Sequence, residues 1–118
     1  MVLVDTSVWV THLRKGEQKL EFLLNEGHVF IHPYIIGELA CGNLNNRNTI
    51  LSLLHALPSA IPADHEEVMH FIENKGLMGH GLGYIDIHLL VSSILSDLKL
   101  WTLDKKLHHA AFELGLAY

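Results

Sequence analysis

Four carboxylates occupy positions in this chain where they could hold a metal ion. Asp5 and Asp104 each follow a short apolar run directly and precede the start of a helical pattern. Asp86 lies in a helical segment so apolar that it leaves almost no polar face, and an unpaired carboxylate is costly to bury. Such a group is usually paired, protonated or bound to a metal. Glu38 projects beside the apolar stripe of another helical segment.

Each of these acids also has an ordinary structural explanation. Asp5 and Asp104 could simply cap helices, Asp86 could form a salt bridge to a lysine or histidine, and a glutamate at the edge of a stripe such as Glu38 is usually solvated. Together they suggest more, because strand ends and helix starts of an alternating chain meet at one edge of a sheet. Oxygen ligands of this kind suit Mg²⁺ or Mn²⁺. Such an ion can activate a water and stabilise the leaving oxygen of a phosphodiester.

The elements that would position these acids alternate between short apolar runs and helical patterns. Strands are predicted at 2–4, 28–31, 60–61 and 100–103. The first predicted helix follows the capping residues Thr6 and Ser7 and runs through Trp9 to Leu13. Further helices are predicted at 18–24, from Pro33 to the closing Gly42, at 50–57, after the capping pair Asp64 and Glu67, at 84–98 and at 105–114. Alternation of this kind implies parallel strands joined by right-handed crossovers. We therefore expect one domain over residues 1–118, an α/β fold with three α/β/α layers and a central parallel sheet.

The composition excludes several classes of protein. Of 118 residues, 49% are apolar and 18% are charged, the reverse of a disordered chain. No window approaches the ~18 to 20 apolar residues that cross a bilayer, so we expect a soluble, cytoplasmic protein without a membrane partner. The single cysteine, Cys41, excludes an internal disulfide and is expected to be a small buried side chain. The high apolar content of so small a domain predicts a homodimer.

The net charge of −5 has the wrong sign for the capture of nucleic acid. A bound cation would cancel the four candidate acids locally, and taking four negative charges from −5 leaves only −1 on the rest of the chain. The basic residues close in sequence to these acids are individually more typical of solvated helix faces: Arg14, Lys15, Lys19, Lys105, Lys106, His108 and His109. The glycine-rich stretch 76–83 lacks the dinucleotide-binding spacing and is predicted to be a mobile loop that admits RNA. His80 and His88 are candidate substrate contacts, although a lone histidine is more often a surface or core residue.

Four segments, VLVDTSVWV, IGELACG, GLGYIDIHLLVSS and LWTLDKKL, occur in this order along the chain. Together they resemble the PIN-domain ribonucleases, and more narrowly the VapC-type toxins of prokaryotic toxin–antitoxin modules. The resemblance implies a Mg²⁺- or Mn²⁺-dependent endoribonuclease whose acidic cluster is Asp5, Glu38, Asp86 and Asp104. It also implies that the hydroxyl groups of Thr6 and Thr102 support ligands or bound waters. Relatives commonly form homodimers and are inhibited by a small antitoxin that inserts a segment into the active-site groove.

Two other classes of function share features with this sequence, and the first of them is discounted. An aspartyl-phosphate phosphatase of the haloacid dehalogenase class also places a nucleophilic Asp after its first strand, but it needs a second acid two residues later, where this chain has Ser7. The alternative without catalysis is an acidic binding module, a catalytically idle scaffold that acts through protein contacts.

Overall fold

A three-stranded parallel sheet forms the centre of the protein, and the computed structural model describes all residues from 1 to 118. The strands are β1 (Val2–Val4), β2 (Val29–Phe30) and β3 (Lys99–Trp101), and their order is β2-β1-β3. Leu3 of β1 lies opposite Phe30 on one side and Leu100 on the other. Because all three strands run in the same direction, their carboxyl ends lie at one edge of the sheet.

Seven helices pack around this sheet. They are α1 (Thr6–Lys15), α2 (Gln18–Asn25), α3 (Pro33–Ala40), α4 (Arg47–His55), α5 (His65–Lys75), α6 (Tyr84–Ser96) and α7 (Lys105–Glu113). Val2, Leu3 and Val4 are all at most 1% exposed. Successive strand residues point to opposite faces, so both faces of the sheet are covered by helices. This confirms the predicted α/β/α sandwich.

The sixth helix is the most buried one. Its residues from Ile87 to Ser93 are buried without interruption, because the helix lies against the core on nearly all sides. Asp86, directly before this run, is therefore held on a rigid element. None of the seven helices is both long and apolar enough to cross a membrane.

The predicted strand at 60–61 is wrong. The structure has only an isolated parallel bridge between Ile31 and Ser59, in which the Ala60 N–H donates to the Ile31 carbonyl. Pro58 and Pro62 flank this segment, and proline has no N–H with which to continue a ladder. The helix expected at 50–57 begins and ends earlier, as α4.

The expectation that Cys41 is buried is also wrong, since its side chain is exposed. The buried face of α3 is formed by Ile35 and Leu39, one turn apart. Cys41 comes two residues after Leu39, about 200° further round a helix with 3.6 residues per turn. It therefore lies on the opposite face, towards solvent.

Candidate active site

Asp5 forms the centre of a hydrogen-bonded group at the carboxyl edge of the sheet. It follows β1, caps the N-terminus of α1 and is only 8% exposed. One carboxylate oxygen, Oδ2, accepts hydrogen bonds from the Ser7 hydroxyl at 2.7 Å and from the Thr102 hydroxyl at 2.8 Å. The Ser7 backbone N–H points to the same oxygen at 3.4 Å. The orientation of this carboxylate is therefore fixed from both sides.

Ser7 is a site residue that the sequence patterns did not reveal. Its hydroxyl donates to Asp5 and accepts a hydrogen bond from the Leu103 N–H at 3.0 Å. Thr102 has a parallel role, because its hydroxyl donates to Asp5 and accepts from the Asp104 N–H at 3.0 Å. The two hydroxyls connect the loop after β1 to the loop after β3. The only sequence signal for Ser7 was a second hydroxyl residue directly after an Asp-Thr pair, and helix capping explains that equally well.

Asp104 and Asp86 are each held by a backbone N–H at the start of a helix. Asp104 is exposed, caps α7 and accepts a hydrogen bond from the Leu107 N–H at 2.9 Å. Asp86, the third residue of α6, is half-buried and accepts one from the Gly83 N–H at 2.9 Å. Both positions place a negative charge at the positive end of a helix dipole.

Asp86 has no cationic partner. The one ion pair of the protein joins His109 and Glu113, so a structural salt bridge does not explain the acid in the apolar helix. Burial raises the pKa of Asp86, the Gly83 N–H opposes that shift, and the charges on Asp5, Asp104 and Glu38 raise the pKa further. Asp5, Asp104 and Glu38 therefore all lie within electrostatic range of Asp86.

Glu38 reaches this group from α3. It is exposed, and its Oε1 accepts a hydrogen bond from the Thr6 hydroxyl at 2.7 Å. Thr6 is the first residue of α1 and follows Asp5 directly. The hydrogen bond thus fixes Glu38 relative to the loop that carries Asp5.

The four carboxylates share one arrangement, which fits a hard divalent cation. Each has one oxygen bound to a protein donor and a second oxygen without one; the second oxygens are Asp5 Oδ1, Glu38 Oε2, Asp86 Oδ1 and Asp104 Oδ2. No group of three or more His, Cys, Asp or Glu side chains lies close enough together in this structure to hold a metal ion between them. Mg²⁺ usually keeps several waters and binds through only one or two carboxylates, so an open set of this kind suits it better than a closed cage.

The histidines proposed as substrate contacts have different environments. His88 is 2% exposed, and its ring packs between the rings of Tyr34 and Tyr84, so it is a core residue. His80 is exposed in the loop before α6. His32 caps the N-terminus of α3, where its Nδ1 accepts a hydrogen bond from the Tyr34 N–H at 3.0 Å. It is also buried, and burial lowers its pKa to about 4. Both buried imidazoles are therefore neutral near pH 7, since burial also lowers the pKa of His88.

Comparison with known proteins agrees with this fold. The family model of the PIN domain matches residues 2–113. Ribonuclease VapC32 from two strains of Mycobacterium tuberculosis is 41% identical over 118 residues, which cover 99% of this chain and 95% of the relative. The crystal structure of PAE2754 from Pyrobaculum aerophilum superposes with a TM-score of 0.61 at 17% identity, over 92% of this chain and 77% of that chain, a likeness of fold alone. The chain therefore belongs to the PIN-domain family and, within it, to the VapC ribonucleases.

Proposed function

We propose that Asp5, Glu38, Asp86 and Asp104 bind Mg²⁺ or Mn²⁺ and are the catalytic residues of an endoribonuclease. The protein, as a VapC ribonuclease, is the toxin of a toxin–antitoxin module, and ribonucleases of the PIN-domain family generally depend on divalent metal ions. The observation that carries the assignment of these residues is that three other acids raise the pKa of Asp86 while each of the four keeps one oxygen without a protein donor.

The protein's own contribution is to hold the acids in place before RNA binds. Ser7 and Thr102 fix Asp5, Thr6 fixes Glu38, and backbone N–H groups fix the other two acids. Groups that are already oriented lose little freedom in the transition state, which is how a positioned site lowers a barrier. A divalent cation, when bound, supplies Lewis-acid stabilisation of the charge that develops on a phosphodiester during hydrolysis.

Asp86 makes cation binding sensitive to pH. Because the pKa of Asp86 is raised, this acid keeps its proton to a higher pH than an ordinary aspartate. A proton and a cation compete for the same carboxylate. We therefore expect the affinity for Mn²⁺ to fall in mild acid before the fold is lost.

Chelation of the metal tests the proposal. RNA cleavage should stop in EDTA and return when Mn²⁺ or Mg²⁺ is added in excess of the chelator. Glu38→Gln should lower both cleavage and Mn²⁺ affinity, whereas Glu66→Gln, the same change at an exposed position of α5, should alter neither. Cleavage that continues in excess EDTA would contradict the proposal. A protein that neither binds Mn²⁺ nor cleaves RNA would favour the idle binding module.

The antitoxin is expected to inhibit by presenting a basic side chain to the four acids. Carboxylates without a metal repel one another, and an arginine or lysine would relieve that repulsion while excluding the cation and RNA. A cavity of about 440 Å³ beside Glu38 offers room for such a segment; its apolar lining includes Val10, Leu13 and Leu39. Replacing the antitoxin's basic residue with alanine should weaken inhibition. Equal inhibition by that variant would exclude this mode.

We also propose that the protein works in the cytoplasm as a homodimer. Ile61, Ile94 and Leu95 are each at least 40% exposed. The Ile61 N–H donates to the Ser96 hydroxyl at 2.7 Å, which places Ile61 beside the end of the helix that carries the other two. Exposed apolar side chains that lie together favour association. Sedimentation at micromolar concentration should show a dimer, and a monomer there would exclude it.

A further inference from the structure

A cavity of about 380 Å³ collects three of the eight Lys and Arg residues of this acidic protein. It lies between the end of α5, the loop at 76–83 and one face of α7. Lys75, Lys105 and Lys106 line it together with His80 and His109, and Glu113 is the single acid in its wall. Lys105 directly follows Asp104, so the cavity adjoins the acidic cluster.

The three ammonium groups have no carboxylate partner within the protein. The one ion pair joins His109 Nε2 to Glu113 Oε1 at 3.8 Å, so the single acid of the wall faces a histidine. Three unpaired cations around one concave surface create a local positive potential, which favours an anion even where the net charge of the protein is −5. Lys105 and Lys106 are also the first two residues of α7, where the helix dipole adds to this potential.

Lys106 connects the cavity to the acidic cluster. Its side chain lies across the backbone of Gly81: a Cβ added to Gly81 would be only 2.8 Å from both Cδ and Nζ of Lys106. Gly81 also has a φ of +76°, which other residues rarely adopt. The same loop ends at Gly83, whose N–H holds Asp86. A glycine at 81 thus lets Lys106 lie between the cavity and the loop that positions a candidate catalytic acid.

We propose that this cavity binds a phosphate of the RNA substrate other than the one that is cleaved. The inference rests on the proposed function of the acidic cluster. RNA carries a phosphate at each nucleotide, so a strand with one phosphate at the acids brings further phosphates alongside them. The paired positive and negative regions explain how a chain of net negative charge captures RNA: the lysines bind the backbone, and the acids, with their cation, bind the scissile phosphate.

Binding of RNA at varied salt concentration tests the inference apart from cleavage. A labelled single-stranded RNA is titrated by fluorescence anisotropy with the Asp86→Asn variant, alone and with Lys75→Gln or Lys105→Gln added. Each lost phosphate contact should reduce the slope of log affinity against log salt by about 0.7. Lys15→Gln removes an equal charge from the exposed end of α1, outside the cavity, and should leave the slope unchanged.

Two further measurements distinguish phosphate binding from a structural role of the lysines. Lys75→Arg should retain the slope, because it keeps the charge, and in the active protein the loss caused by Lys75→Gln should appear in KM rather than in kcat. Cavity variants that bind RNA with the same slope as Lys15→Gln would overturn the inference, as would variants that weaken only binding of the antitoxin. Failure of the proposed function is a different result, namely no metal-dependent cleavage by the unmodified protein.

Discussion

Replacement of Asp86 with asparagine should remove catalysis and leave the fold intact. Asparagine has nearly the same shape, and its carbonyl oxygen can still accept the hydrogen bond from the Gly83 N–H. The carboxylate has no cationic partner that would be left unpaired. It is half-buried, and three neighbouring acids raise its pKa. Without a metal, the negative charge is therefore unfavourable at this position, and neutralising it relieves repulsion.

The expected change in the free energy of unfolding is small because two effects oppose each other. Loss of a negative charge in the first turn of α6 costs about 0.3–1 kcal/mol. Relief of the repulsion among the acids offsets it, so the net change should lie within about 1 kcal/mol, or about 4 °C in Tm for a domain of this size. Breaking a buried salt bridge would instead cost about 3–5 kcal/mol, which corresponds to roughly 12–20 °C on the same scale.

Thermal melts in EDTA and cleavage assays in Mn²⁺ separate these outcomes. Metal-ion catalysis is worth several kcal/mol, and about 4 kcal/mol corresponds to a loss of about 10³-fold in rate. Glu66→Gln is the matched control for loss of one negative charge at an exposed position. A fall in Tm of more than about 12 °C in EDTA would mean that Asp86 anchors the fold. Cleavage at the rate of the unmodified protein would refute its catalytic role.

Three other predictions concern the residues around the acids. Ser7→Ala removes one donor to Asp5, so Mn²⁺ affinity measured by calorimetry should fall about 10–100-fold, and an unchanged affinity would exclude a role in positioning. Between pH 6.5 and about 4, His32 takes up a proton in the unfolded chain but not in the folded protein. The free energy of unfolding should therefore fall by about 3 kcal/mol as the pH is lowered through this range. Urea unfolding of His32→Asn, which keeps a side-chain acceptor for the helix cap, should show a weaker dependence of this free energy on pH. The effect of Asp86 on the pH dependence of stability has the opposite sign. In EDTA, the unmodified protein should lose stability relative to Asp86→Asn as the pH rises from 3.8 through the raised pKa of Asp86. Parallel profiles of unfolding free energy against pH for the two proteins would contradict this.

Local features of the structure could be predicted because neighbouring residues determine them. The capping box of Asp64 and Glu67 forms as predicted, with both reciprocal hydrogen bonds. Asp5 and Asp104 cap helices directly after strands, which the apolar runs before them indicate. The same signals determined the α/β fold, since strands that alternate with helices pair in parallel. Asp5 and Asp104 can both cap helices and serve as the proposed metal ligands. Capping uses one oxygen of each carboxylate, and the other oxygen has no protein donor.

The tertiary structure decided which distant residues meet. Thr102 and Asp5 are 97 positions apart in the chain and share a hydrogen bond only because β3 pairs beside β1. Lys75 and Lys106 belong to different helices, and no periodicity in either helix predicts that they line one cavity. The same holds for the orientation of Cys41 and for the burial of His88 between two tyrosines. Helix and strand propensities and capping act over a few neighbouring residues. Contacts between distant segments depend instead on how the strands and helices pack, and local sequence patterns do not predict that packing.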